Sequence, residues 1–216
     1  MTKQKIEVDD LLKFERELYS QGITLIGGVD EAGRGPLVGP VVAACVILPV
    51  NYELEGLNDS KQLSEKKRDL LFDIIMKDAI SVGVGIVEAD MIDKINILEA
   101  SRLAMKLAIE NMDVKPEFVL SDAMKLNNID IPYKDIVHGD ALSLSIAAGS
   151  VIAKVTRDRM LYELDKEYPE YGFAKHKGYP TKAHLEAIQK YGLLKNYRFT
   201  YKPVSDLINS EKVVIR

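Results

Sequence analysis

The 216 residues allow one domain with a sizeable appendage, and 47% hydrophobic with 29% charged residues is an ordinary balance for a packed core. No apolar run approaches the ~20 residues of a membrane-crossing helix. The polar opening Met1–Asp10 lacks the apolar stretch of a secretory leader, and the single Cys45, in the apolar run 41–48, excludes an internal disulfide.

These features predict a cytoplasmic protein with no membrane contact, and no obligate protein partner is evident. Net charge is −4, yet residues 154–202 carry a balance of +5 and residues 1–153 a balance of −9. A local basic surface in the C-terminal quarter is enough for phosphate contacts, although a solvated helical surface would give the same count.

In chain order, Val8–Tyr19 reads as a short amphipathic helix with Leu11, Leu12, Phe14 and Leu18 as its apolar positions. Ile23–Asp30, Pro40–Pro49 and Ser81–Ala89 read as strands, and their short connections predict an antiparallel meander. Ser64 caps a helix running to Lys77, and Ile97–Met112 has apolar residues at helical spacing. Glu117–Asp122 and Tyr133–Val137 are short strands. Ser143 to about Tyr168 is a long helix, and Thr181 caps a last clear helix that ends at Gly192. The pattern predicts an α/β protein: a mixed five-stranded sheet flanked by helices. It divides into a helical extension (1–21), a central domain (22–169) and a small helical C-terminal region (170–216).

The richest stretch is Gly28-Val29-Asp30-Glu31-Ala32-Gly33-Arg34-Gly35-Pro36. Adjacent carboxylates suit a hard divalent cation, and a Gly-Arg-Gly turn lets backbone N–H groups approach an anion closely. Asp30, Glu31, Asp122 and Asp140 each lie at or just past the end of a predicted strand. If those strands are neighbours, four carboxylates converge, and divalent metal resolves their repulsion. Two ions ~3.5–4 Å apart would then support phosphodiester hydrolysis. Consecutive strand residues face opposite sides, so Asp30 and Glu31 share a site only if the strand bends or ends there. Taken singly, Asp122 also reads as a turn residue and Asp140 as a helix cap.

This stretch, with Gly39-Pro40-Val41-Val42-Ala43-Ala44, resembles the opening signature of bacterial ribonuclease HII, the type 2 ribonuclease H. Four further blocks are similar to that family: Asp59–Ser64, Leu120–Met124, Gly139–Arg159 and His176–Thr181. The resemblance implies an RNase H-like fold and cleavage of the RNA strand of RNA/DNA hybrids. It also implies incision 5′ of single ribonucleotides in duplex DNA, leaving 3′-hydroxyl and 5′-phosphate ends. Mg²⁺ or Mn²⁺ is the implied cofactor, with Asp30, Glu31, Asp122 and Asp140 as catalytic metal ligands. Gly33, Arg34 and Gly35 match the loop that senses the ribonucleotide 2′-hydroxyl, and Tyr179 matches the tyrosine that reads the same sugar. The 2′-hydroxyl is what distinguishes RNA from DNA at one position. Lys61, Lys154, Arg157, Lys175 and Lys177 are candidate phosphate contacts, with ordinary surface charge as the competing reading. Ser143 and Ser145 either contact phosphate or cap the long helix, and His176 is a further candidate contact. The alternatives are another nuclease of this architecture, such as a junction resolvase, and a non-catalytic hybrid-binding protein.

Overall fold

The computed structural model describes residues 11–54, 56–57, 63–127, 129–211 and 213–216. Five strands form one sheet: β1 (Ile26–Ala32), β2 (Val41–Ile47), β3 (Ser81–Val87), β4 (Phe118–Asp122) and β5 (Tyr133–Ile136), in the order β3-β2-β1-β4-β5. The first three pair antiparallel, and β1–β4 and β4–β5 pair parallel. The expected meander and mixed sheet are both present. Because β1 pairs with β4, and β4 with β5, the three acid-bearing segments of the sheet are adjacent.

Period-two alternation sorts the central strand β2 between two cores. Val41, Ala43, Cys45 and Ile47 pack with α3 (Ala89–Glu110), whereas Ala44 and Val46 pack with α2 (Glu65–Asp78) and α4 (Leu144–Glu167). A strand covered on both faces must be apolar throughout, which explains its unbroken Val/Ala/Ile run. Burial also pushes the Cys45 thiol up to about 12, so it serves as a small core residue.

Several boundaries differ from the sequence reading. β1 begins at Ile26 and runs on through Asp30 and Glu31 to Ala32. α3 begins at Ala89, eight residues before the expected start at Ile97, and turns sharply at Asn96 (φ 66°). The Asn96 carboxamide oxygen accepts from the N–H groups of Leu98 and Glu99, so it caps the segment that starts at Ile97. α1 is described over Lys13–Tyr19; residues 8–10 of the expected helix lie outside the described residues.

Beyond α4 the chain forms α5 (Phe173–His176), α6 (Lys182–Tyr191) and α7 (Val204–Asn209), of which only α6 was legible in advance. Tyr171, Phe173, Ile188, Leu193, Tyr197 and Val204 from this region bury Leu37 and Val38 of the β1–β2 connection. The C-terminal region thus clamps the Gly-rich loop against the sheet.

Candidate active site

Asp30, Asp122 and Asp140 bring carboxylate oxygens within 4.8 Å of one another. Each is delivered by a different device. Asp30 lies two residues before the end of β1, Asp122 ends the neighbouring parallel strand β4, and Asp140 sits in a 3-10 turn (Gly139–Ala141) that leads into α4. The Gly139 N–H donates to Asp122 Oδ1 at 2.7 Å, fixing the third segment to the second. α4 lies directly on β1: a Cβ built on Gly28 would meet the Ser145 carbonyl carbon at 2.0 Å. Two strand residues rise about 6.6 Å and five helical residues about 7.5 Å, so contact at Gly28 and Ser145 brings Asp30 beside Ser150. The Ser150 hydroxyl hydrogen-bonds the Asp30 carboxylate there.

Glu31 projects from the other side of β1, outside this cluster, but lines the same cavity of about 360 Å³. Strand alternation, continuing because β1 does not end at Asp30, is the reason. Glu31 Oε1 accepts from Arg34 Nη1 at 3.2 Å, and its buried Oε2 has no partner among the described residues. Burial, followed by the charges of Glu31 and Asp122, raises the Asp30 carboxyl well above the usual carboxylate range. Burial and Asp122 also push Glu31 up to about 7, against the opposing pull of Arg34. Crowded, largely desolvated carboxylates with an orphaned oxygen fit a divalent cation, which would favour their charged forms.

Tyr179 lines the same cavity. Its ring packs against the Gly33-Arg34-Gly35 loop, with Tyr179 Cε1 only 3.3 Å from where a Cβ on Gly35 would sit. It remains 46% exposed and lines the cavity, so its ring is accessible to a ligand. The Leu37 N–H donates to the Gly178 carbonyl at 2.8 Å, tying the two segments together. Behind them, His176 and His184 stack with centroids 4.1 Å apart. The Gly178 N–H donates to His176 Nδ1, and His176 Nε2 faces the Tyr171 carbonyl. His184 is held by the Tyr179 carbonyl and the Tyr197 hydroxyl. These partners suit neutral rings, and burial lowers both, His184 to about 4. His176 is therefore a support for the Tyr179 turn and is not placed to meet phosphate.

The basic residues separate by environment. Lys154 lines the cavity and pairs with Asp158 at 2.7 Å. Arg157 reaches the cavity wall, but its guanidinium is buried and donates to the carbonyls of Val38, Pro40 and Lys177. The Lys177 ammonium lies 3.6 Å from the Tyr162 ring centroid and donates to the Ala174 carbonyl, so it serves packing outside the cavity. Ser143 is likewise withdrawn: it is fully buried, caps α4 by accepting from the Ile146 N–H, and donates to Glu15 Oε1 at 2.6 Å. The Ser145 backbone N–H also donates to Glu15 Oε1 at 3.0 Å, so Glu15 completes the cap of α4 that Ser143 begins, while the Ser145 side chain is buried. Lys61 lies outside the described residues.

Glu15 was missed from the sequence, although a signal exists. It falls on the Leu11–Leu18 stripe of α1, where an acid is out of place unless it has a buried partner. Its partner is the α4 N-terminus, so residues before β1 help to set the helix that follows Asp140.

The family model described as Ribonuclease HII matches residues 27–204. The chain belongs to the ribonuclease HII family. It is 54% identical over 211 residues to ribonuclease HII of Bacillus cytotoxicus, covering 98% of this chain and 81% of that one. To ribonuclease HII of Acholeplasma laidlawii it is 53% identical, covering 92% and 98%. Among solved structures, ribonuclease H2 of Pyrococcus horikoshii OT3 superposes with a TM-score of 0.72 at 26% identity, covering 86% of this chain and 97% of that one. Bst-RNase HIII in complex with Mn²⁺ shares the fold at a TM-score of 0.63 and 16% identity, covering 88% and 71%. As a member of this family the chain is an endoribonuclease, and its aspartate cluster is consistent with a metal-dependent active site. No described helix is long and apolar enough to cross a membrane.

Proposed function

We propose that this cavity hydrolyses the RNA strand of RNA/DNA hybrids and incises DNA duplexes 5′ of single embedded ribonucleotides, leaving 3′-hydroxyl and 5′-phosphate ends. The observation that carries the reading is one cavity lined by Asp30, Glu31, Asp122, the Gly33–Gly35 loop and Tyr179, with Asp140 in the carboxylate cluster. Carboxylates that suit divalent cations face a loop and an open aromatic ring that suit a sugar.

Asp30, Asp122 and Asp140 are the residues that would hold Mg²⁺ or Mn²⁺, with Glu31 supplying a fourth carboxylate. A Mn²⁺ complex is known for the RNase HIII structure named above. A pair of such ions supplies an activated water and neutralises the leaving oxygen. The chain's own contribution is positioning. Arg34 and Lys154 flank the cavity and oppose phosphate charge. The loop meets the 2′-hydroxyl while Tyr179 packs on the sugar or the adjoining base. Residues 170–216 act as the substrate-binding region, because they hold Tyr179 and brace the loop.

The test is cleavage of a duplex with one ribonucleotide, in Mg²⁺ and in Mn²⁺, by the parent protein and by Tyr179→Ala. The parent is expected to cut at the ribonucleotide and to leave an all-DNA control intact. Tyr179→Ala should lower kcat/KM at the embedded ribonucleotide by about 10- to 100-fold, the scale of one lost aromatic stacking contact. Equal cutting of both duplexes by the parent would refute the reading, and an unimpaired Tyr179→Ala would remove Tyr179 from it.

A further inference from the structure

Arg198 is fully buried, far from the acids in sequence, and committed to a single loop. Its Nη2 donates to the Gly33 carbonyl at 2.6 Å and its Nη1 to the Arg34 carbonyl at 3.0 Å. Nε and Nη2 both donate to the Gly39 carbonyl, at 3.1 and 2.9 Å. The remaining hydrogen bond, from Nη1 to the Tyr201 hydroxyl, returns to the same place, because that hydroxyl donates to the Arg34 carbonyl at 2.9 Å, and the guanidinium also lies 5.0 Å from the Tyr201 ring centroid. Asp93 fixes the following segment by accepting from the Phe199 and Thr200 N–H groups. No described carboxylate pairs with the Arg198 guanidinium.

A buried guanidinium bonded only to carbonyls and one hydroxyl is costly to desolvate, so a role in packing alone would be met more cheaply by an apolar side chain. What the guanidinium does that an apolar chain cannot is set peptide orientation. In a trans peptide the carbonyl oxygen and the next residue's N–H point in opposite directions. Drawing the Gly33 carbonyl inward turns the Arg34 N–H outward, and drawing the Arg34 carbonyl inward turns the Gly35 N–H outward. Neither N–H has an acceptor among the described residues, and both residues line the cavity. The planar fork suits this task because it reaches several oxygens at once in fixed geometry.

We infer that Arg198 is a positioning residue for ribonucleotide recognition, holding the Arg34 and Gly35 N–H groups toward the substrate sugar through the carbonyls of Gly33 and Arg34. The inference rests on the functional reading above and adds to it a residue outside the cavity lining. It also explains why the C-terminal region is tied so closely to the loop.

The test compares the parent with Arg198→Lys, which keeps the charge but cannot span three carbonyls, and with Tyr201→Phe, which removes only the hydroxyl. Steady-state cleavage of the single-ribonucleotide duplex is measured beside Mn²⁺ binding by calorimetry and far-UV circular dichroism. Arg198→Lys is expected to lose about 10- to 100-fold in kcat with KM changed far less, as for a reacting group displaced by about 1 Å. Mn²⁺ affinity should stay within about twofold of the parent, since the fork touches no carboxylate of the cluster. Tyr201→Phe should move the same way by a smaller factor, and it decides the matter if Arg198→Lys does not fold. Parental kcat in the folded variants overturns the inference, and so does a parallel loss of Mn²⁺ binding, which would mark a general structural role. If the parent itself does not discriminate ribonucleotide from deoxyribonucleotide, the functional reading fails and this inference with it. Parental discrimination with an unaffected Arg198→Lys defeats the inference alone.

Discussion

Asp122→Asn is expected to lower kcat by about 10³-fold, roughly 4 kcal/mol of transition-state stabilisation, while the fold stays intact. The substitution is nearly isosteric. Its Oδ1 still accepts the Gly139 N–H, so the turn that carries Asp140 keeps its place. What is lost is one of three carboxylates within 4.8 Å of each other, and with it one of the proposed cation ligands. The same change removes a charge that opposes ionisation of both Asp30 and Glu31. In a chelator at neutral pH, Asp122→Asn should therefore melt at or above the parent's temperature, because like charges no longer repel in a buried cluster. Cleavage assays and thermal melts with EDTA check both halves. Retained activity would detach Asp122 from the reaction, and a large loss of stability would mean that the residue is structural.

Gly28→Ala is expected to destabilise the protein by about 3 kcal/mol or more and to impair cleavage as a consequence. The added Cβ would meet the Ser145 carbonyl carbon at 2.0 Å and the Ile146 nitrogen at 2.3 Å. These are backbone atoms of α4 and cannot rotate away, so the helix must lift from the sheet. Lifting it separates Ser150 from Asp30 and disturbs the turn that holds Asp140. Urea unfolding with a cleavage assay tests this, and stability within about 1 kcal/mol of the parent would contradict the packing account.

The sheet was legible because its strands carry strong period-two or unbroken apolar patterns, as in Val41–Ile47. The carboxylates were legible because acids at the ends of apolar runs are unusual, and strand order then brings three of them together. Glu31 shows the limit of that logic. Its position beside Asp30 in sequence puts it on the opposite side of a strand that continues to Ala32. Ser143, Arg157 and Lys177 show another: residue type says that a group can meet phosphate, but only packing shows that its donors are already used. Lys61 stays an expectation, as its segment lies outside the described residues. Arg198 carried no signal, since an arginine in a basic stretch looks solvated until its surroundings are known. The start of α3 was obscured because Asn96 interrupts the helical period, and the capped segment after it is the part with clear spacing.

One cavity is proposed both to hold the carboxylate cluster and to read the 2′-hydroxyl. The most direct test changes only that hydroxyl. A duplex with one ribonucleotide is compared with duplexes carrying 2′-deoxy or 2′-O-methyl sugars at the same position, and the cut bond and its ends are mapped. A single cut 5′ of the ribonucleotide with 3′-hydroxyl and 5′-phosphate ends is expected, and none at the 2′-deoxy or 2′-O-methyl position. Comparable cleavage at any position lacking the free 2′-hydroxyl would contradict this proposal.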